Sequence, residues 1–235
     1  MILISAKKKI VFGIFLLLSL PKTILFNFRS LPFSQAIKLP IIIGYNVKVL
    51  ETHKGIITFS DRVEKIRFGM IRFGFGGPRG IVSNKRGEVV LEKGMLVFDG
   101  EAFFGEGSSI RLNANLHIGK HFSASKNAFV SCSANGSSIG DNVMFGWNVS
   151  VRDSDGHTIY HYGEPKKSQK PFKIGNHVWV CAEAHILKGV EIGNDSVVAY
   201  RSTVTKSFPQ NGVLIGGSPA KQLQEGINWG PFIGC

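Results

Sequence analysis

The chain has 235 residues, enough for one sizeable core or for a domain with appendages. Lys and Arg number 28 against 16 acids, a formal charge of +12, so an anionic partner is expected: a phosphorylated cofactor, an anionic membrane or nucleic acid. Three cysteines (Cys132, Cys181 and Cys235) exclude a disulfide framework and suit a reducing compartment, and 28 glycines suit the corners of a turn-rich β protein.

Residues 1–38 differ from the rest. Lys7, Lys8 and Lys9 precede an apolar run from Ile10 to Leu20, which Pro21 and Lys22 close. Eleven residues are too few to cross a bilayer as a helix, which needs about 20. Basic-then-apolar order resembles a secretory signal, yet Leu20-Pro21-Lys22 is a poor cleavage site. A second apolar patch follows from Leu25 to Phe33, with Lys22, Arg29 and Lys38 around it. Besides a signal peptide, two readings stand: an arm lying on a membrane surface, and a helix packed on the end of the next domain to cover its open edge.

From Leu39 to Met95 the sequence is strand-like but irregular. Ile41 to Val49, Gly55 to Phe59 and Gly87 to Leu91 are β-branched runs bounded by Gly. Arg67 to Gly80 interleaves Arg with aromatics, as nucleic-acid binders do, but the alternation is equally that of a half-buried strand and a Gly-rich turn. No helix is signalled after these glycines, so they make no dinucleotide fingerprint, and the region reads as early, degenerate coils. No sharp domain boundary precedes Ile118.

A period of six then takes over. Ile174, Val180, Ile186, Ile192, Val198 and Val204 are all apolar and β-branched. Four residues after each comes a mostly small side chain: Val178, Ala184, Val190, Ser196 and Ser202, then the bulkier Phe208. Six residues fit neither a helix nor an ordinary hairpin sheet; they fit a triangular β-solenoid with three hexads per coil and the apolar residues stacked inside. Two earlier coils read backwards from it, Ile139-Phe145-Val151 and Ile118-Ala124-Val130, with three extra residues at Gly136–Ser138 between them. Two cysteines, Cys132 and Cys181, sit on these hexads.

The larger break carries the chemistry. Val151 to Ile174 spans 23 positions where a hexad needs 6, leaving 17 extra residues as a loop. Long loops on rigid scaffolds carry function. Asp153-Ser-Asp155-Gly-His157 places two carboxylates beside an imidazole there. A neutral imidazole takes a proton from a hydroxyl, and a carboxylate on its other nitrogen fixes the tautomer. Asp155 is the first candidate for that carboxylate and Asp153 the second. The bland alternative is a loop His among acids that form Asx-turns.

Ile174-Gly-Asn-His-Val-Trp-Val180, Leu187 to Val198, Ser202 to Lys206 and Gly216-Gly-Ser-Pro-Ala-Lys221 resemble the hexapeptide-repeat acyltransferases over about Ile110 to Lys221. That group includes the maltose and galactoside O-acetyltransferases and the acetyltransferases of surface polysaccharide assembly. The Asp-x-Asp-Gly-His loop and the Asn27…Leu39-Pro40 arm look most like the last branch. The resemblance implies an all-β fold, a left-handed parallel β-helix, here with an N-terminal apolar arm and a protruding active-site loop. It further implies a homotrimer, acetyl-CoA as acyl donor in a groove between subunits, and His157 as general base acting on a sugar or lipid-linked glycan. Trp179 and Ala182 would flank the pantetheine arm, and Tyr200, Thr205, Lys206 and Lys221 would meet the CoA end. Asn127 is the nearest candidate to hold the acceptor. Backbone N–H groups near Trp179–Ala182 would stabilise the developing oxyanion. Cys181 in place of a usual Gly, and Ala199-Tyr200-Arg201 in place of Gly-Ala-Gly, depart from the family's pattern.

The parts are then an arm (1–38), the β-helix (39–208) with its loop (152–173), and a tail (209–235), in a cytoplasmic enzyme peripheral to the inner membrane face. Two alternatives come from other classes. Solenoid carbonic anhydrases bind zinc through three His, but Ala182, Glu183 and Lys188 stand where the paired His positions fall, so no metal is expected; nor is nucleic acid, since Arg67 to Gly80 reads as strand and turn. A non-catalytic solenoid scaffold would not need the Asp-x-Asp-Gly-His loop.

Overall fold

The computed structural model describes residues 6–230, apart from residues 78–80, 82 and 84. Cys235, Pro78-Arg79-Gly80 and the side chains of Lys7, Lys8 and Lys9 lie outside the described residues. Three sheets of nine, seven and six strands form the faces of a triangular prism, parallel except for the last strand of the first face. Each turn of the chain adds one strand to each face, which is why the repeat has three hexads per coil. Ala124, Phe145, Val180 and Val198 are neighbours in register on the first face. Val130, Val151, Ile186 and Val204 stack on the second, and Ile118, Ile139, Ile174 and Ile192 on the third. All twelve point inward and are at most 3% exposed. Each buried aliphatic contributes roughly 1.5–3 kcal/mol, and like packs on like along the axis. Aromatics do the same, with Phe73 and Phe104 stacked at 4.2 Å.

The corners explain the Gly-Asn pairs. Where the strands turn from the third face to the first, the backbone N–H groups of Lys120, Asp141, Asn176 and Asn194 donate to the side chains of Asp141, Asn176, Asn194 and Asn211 in the next coil, at 2.7–2.9 Å. The preceding glycines leave room for this: a Cβ on Gly175 would lie 2.7 Å from Asn194 Oδ1, and one on Gly193 only 2.2 Å from Gln210 O. The ladder is what allows short strands to meet at a sharp angle without unpaired backbone groups.

The coils begin at Ile41, where Ile41–Ile43 pairs with Ile71–Phe73, so the degenerate region 39–95 is solenoid. Past 208 strands continue: Leu214–Gly217 joins the first face against Val197 and Val198, and Ala220–Gln224 folds back on it. The three extra residues also sit earlier than the spacing suggests. Ser137 and Ser138 are in strand, and the surplus falls within the four-residue turn Ser133–Gly136.

The N-terminal segment is one helix, α1 (Ala6–Ser30), running through Pro21 rather than stopping there. It caps the open edge with side chains instead of a strand. Asn27 accepts from Ile41 N (3.2 Å) and donates to Ile41 O (2.7 Å), Thr23 does likewise with Ile43, and Ser19 Oγ accepts from Tyr45 N at 3.0 Å. The spacing matches because four helical residues rise about 6.0 Å and two strand residues about 6.6 Å. Asn27→Ala removes the partner of two buried backbone groups and should cost about 2–4 kcal/mol. Thermal melts should fall by roughly 5–15 °C, with exposed Ile24→Ala as a control that moves little.

Candidate active site

The 17 surplus residues form an antiparallel ribbon projecting from the edge between the second and third faces. Ser154 bridges Gln169, Lys170 N donates to Asp153 O at 2.9 Å, Asp155 N to Ser168 O at 2.9 Å, and Tyr160–His161 pairs with Glu164–Pro165 around a Tyr162-Gly163 turn. Both turn residues have positive φ, 50° and 84°, the twist a two-residue hairpin needs. Its base is pinned to the next coil by Gly189 N donating to Lys170 O at 2.8 Å.

Two expectations for the carboxylates change. Asp153 is fully buried and accepts from Ser133 N (2.7 Å), Ala134 N (2.9 Å) and Ser137 Oγ (2.7 Å). It staples the Ser133–Gly136 turn and is not an orienting partner of His157. Asp155 pairs with Lys188, whose ammonium also donates to Lys167 O at 2.8 Å, so it fastens the ribbon to the prism. Sequence spacing put both acids beside His157, but Asp153 is drawn into the prism by the Ser133–Gly136 turn and Asp155 is drawn to Lys188 of the next coil. Among the described residues, neither is hydrogen-bonded to the imidazole, which is exposed on the ribbon.

The donor-site candidates fall into two groups. Thr205 and Lys206 lie on the same edge as the ribbon, with Lys206 Nζ 5.5 Å from the Phe208 ring centroid. Ala182 and Tyr200 lie at the corner between the first and second faces, Trp179 faces outward on the first face, and Lys221 is exposed on the terminal hairpin. One face of about five residues, roughly 17 Å, separates the two edges within a protomer. Asn127 is at the Ala182 corner too, in the left-handed conformation (φ 59°) with Oδ1 taken by Ser83 Oγ at 2.6 Å. Asn148, Glu183 and Arg201 repeat that conformation at the same place in later coils, so Asn127 is a corner residue first.

The register also reveals a residue the motif search missed. Trp147, Ala182 and Tyr200 each follow an inward hexad residue by two positions, and so line one column. Glu183 N donates to Trp147 O at 2.8 Å and Arg201 N to Ala182 O at 3.1 Å, tying the three turns together. The small, buried Ala182 sits between the two aromatics. Beside it Arg201 bonds Glu183 at 2.6 Å, holding that carboxyl below its ordinary value, and lies over the Tyr200 ring. The amides of Trp179, Cys181 and Glu183 are spent inside the coils; among the described residues the Ala182 N–H has no acceptor.

Residues 173–206 match the family described as bacterial transferase hexapeptide (six repeats). The matched residues are the coils that carry the Ala182 corner, and it is these coils that are similar to the hexapeptide-repeat transferases. Galactoside O-acetyltransferase of Escherichia coli (strain K12) is 36% identical over 116 residues, covering 48% of this chain and 55% of that protein. A chloramphenicol acetyltransferase of Morganella morganii is 48% identical over 52 residues, 22% of this chain and 24% of the other. A solved galactoside acetyltransferase in complex with coenzyme A is 29% identical, covering 53% of this chain and 58% of that one, with a TM-score of 0.44. The chain spans about half the length of the galactoside O-acetyltransferase it matches.

Two features of the prism narrow its chemistry. Burial pushes the Cys181 thiol up to about 11 and the Cys132 thiol up to about 12, so neither supplies a thiolate at neutral pH. The His residues are spread over the prism: His117 bonds Asp99 at 2.7 Å on the third face, His121 and His177 are left-handed corners, and His185 lies in a strand of the second face. Among the described residues no three of His, Cys, Asp and Glu converge. His177 instead stacks on Trp229 of the tail, centroids 4.4 Å apart.

Proposed function

We propose that this protein is a CoA-dependent O-acetyltransferase that moves an acetyl group to a sugar hydroxyl, as a trimer of left-handed β-helices serving surface polysaccharide assembly in the cytoplasm. The observation that carries the reading is the imidazole of His157, exposed and without a hydrogen-bond partner among the described residues, on a ribbon that leaves a prism whose coils are similar to hexapeptide repeats. Galactoside acetyltransferase relatives supply the reaction class.

Acetyl-CoA, when bound, supplies an activated acyl thioester. The chain fits such a donor in three respects: the small Ala182 between Trp147 and Tyr200, the Ala182 N–H that has no acceptor among the described residues, and the ammonium groups of Lys206 and Lys221 for phosphates. Lys206 and Lys221 stand on different sides of the prism, so one donor meets both only across a subunit boundary. In that arrangement His157 of one protomer faces the Ala182 corner of its neighbour. His157 takes the proton from the acceptor hydroxyl as its oxygen bonds the acyl carbon, then returns it to the departing sulfur. The Ala182 N–H meets the charge that develops on the acyl oxygen. Among the described residues no carboxylate is hydrogen-bonded to His157, so its tautomer is left to the neighbouring subunit or the acceptor.

Thiol release from acetyl-CoA, measured with a panel of sugar acceptors beside sedimentation of the purified protein, tests the reading. Acceptor-dependent release by a species of three times the protomer mass is expected. A stable monomer at micromolar concentration removes the shared site, and release that ignores every acceptor removes the O-transfer.

A further inference from the structure

Helix α1 is amphipathic the wrong way round for a soluble cap. Its buried stripe, Ser19, Thr23, Phe26, Asn27 and Ser30, is mostly polar because it pairs with the backbone edge of the first coil. The opposite stripe, Leu17, Leu18, Ile24, Leu25 and Phe28, is apolar and faces outward, with Leu17 66% and Leu25 57% exposed. Phe33 at 66% continues it. An apolar face of this extent on a soluble protein marks an interaction surface.

The flank of the helix says what covers it. Lys22 and Arg29, seven residues apart, lie on one side and meet Arg86 across a groove of about 350 Å3 that Leu25, Tyr45 and Leu50 also line. Lys22 donates to Tyr45 O and Val47 O, both at 2.6 Å, and its pKa is lowered by burial and by the Arg86 charge. Among the described residues, no carboxylate forms an ion pair with Lys22, Arg29 or Arg86. Adjacent unpaired cations beside a continuous apolar stripe match a layer of anionic headgroups over acyl chains. A second copy of the chain is the poorer occupant, since it would bring the same cations face to face.

We propose that α1 lies flat on an anionic phospholipid bilayer and docks the N-terminal end of the prism there, with Lys22, Arg29 and Arg86 on the headgroup phosphates. Length and composition alone would allow Phe12–Ser30 to span a membrane. The side-chain ladder rules against it, because a spanning α1 would carry the strand edge at Ile41–Tyr45 into the bilayer. The solenoid axis therefore stands away from the membrane, and the ribbon bearing His157 is held coils above it. This inference is independent of the acyl-transfer reading.

Flotation of the full chain with vesicles of phosphatidylcholine alone, or mixed with phosphatidylglycerol, tests it. Binding should be roughly tenfold or more tighter to the anionic vesicles and should weaken in about 0.5 M NaCl. A triple variant, Leu17→Ser, Leu18→Ser and Leu25→Ser, should lose flotation while its melting temperature stays near that of the parent, since none of the three touches the ladder. Arg29→Glu with Arg86→Glu should lose the preference for anionic lipid. Equal flotation of the triple variant, or none by the parent chain, overturns the proposal. So does self-association that the triple variant abolishes without any vesicle binding, which would make a second copy the occupant. Resistance to both salt and alkaline extraction overturns the flat geometry.

Discussion

His157→Ala should lower acetyl transfer by roughly 10²–10⁴-fold, the usual contribution of a general base, with a melting temperature within experimental scatter of the parent. The side chain is exposed on a ribbon and holds no coil together, so a loss of fold is not an available explanation. His161→Ala, on the same ribbon, should cost far less. Because His157 and the Ala182 corner sit a face apart in one protomer, a second experiment separates a shared site from a local one. Ala182→Trp puts an indole into the corner between Trp147 and Tyr200 and should also abolish transfer. Mixed trimers of the two inactive variants should regain about a quarter of the parent rate by random assortment, because some boundaries then pair an intact His157 with an intact Ala182. Mixtures that stay inactive place the site within one subunit. Normal turnover by His157→Ala means that another group is the base.

Asp153→Ala should be among the most destabilising substitutions in the solenoid. Its carboxylate accepts three hydrogen bonds in a fully buried turn, and alanine leaves Ser133 N, Ala134 N and Ser137 Oγ unpaired. Bonds to a charged acceptor contribute about 1.5–3 kcal/mol each, and after partial relaxation a cost of about 4 kcal/mol is expected. The melting temperature should drop by roughly 10–15 °C. Asp153→Asn should fall between, since an amide accepts through one oxygen only. Activity per folded molecule should survive in both. A variant that melts normally but has lost transfer would return Asp153 to the catalytic group. Asp155→Asn differs again: it loosens the ribbon from Lys188 and should reduce rate modestly without a large change in stability.

Much of this architecture is local in the sequence and so can be read from it. The inward column from Ile118 to Val204 is set by chain spacing alone, since a side chain every six residues stacks only if three strands close a coil. The length of the ribbon followed from the same arithmetic, and so did the column of Trp147 once register was followed through Phe145. Other features depend on groups distant in sequence. Asp153 and Asp155 look alike beside His157, but one meets Ser133–Ser137 from the preceding coil and the other Lys188 from the next, partners 16 or more residues away. Spacing could not reveal that Ser19, Thr23 and Asn27 turn inward. A helix normally buries its apolar stripe, and here the unpaired edge at Ile41–Tyr45 demanded hydrogen bonds instead. The sequence therefore determined the coil and the candidate base. Only the tertiary structure decided which acids are structural, that the donor-site residues split between two edges, and that the apolar face of α1 looks outward, because each is a matter of which distant backbone groups need a partner.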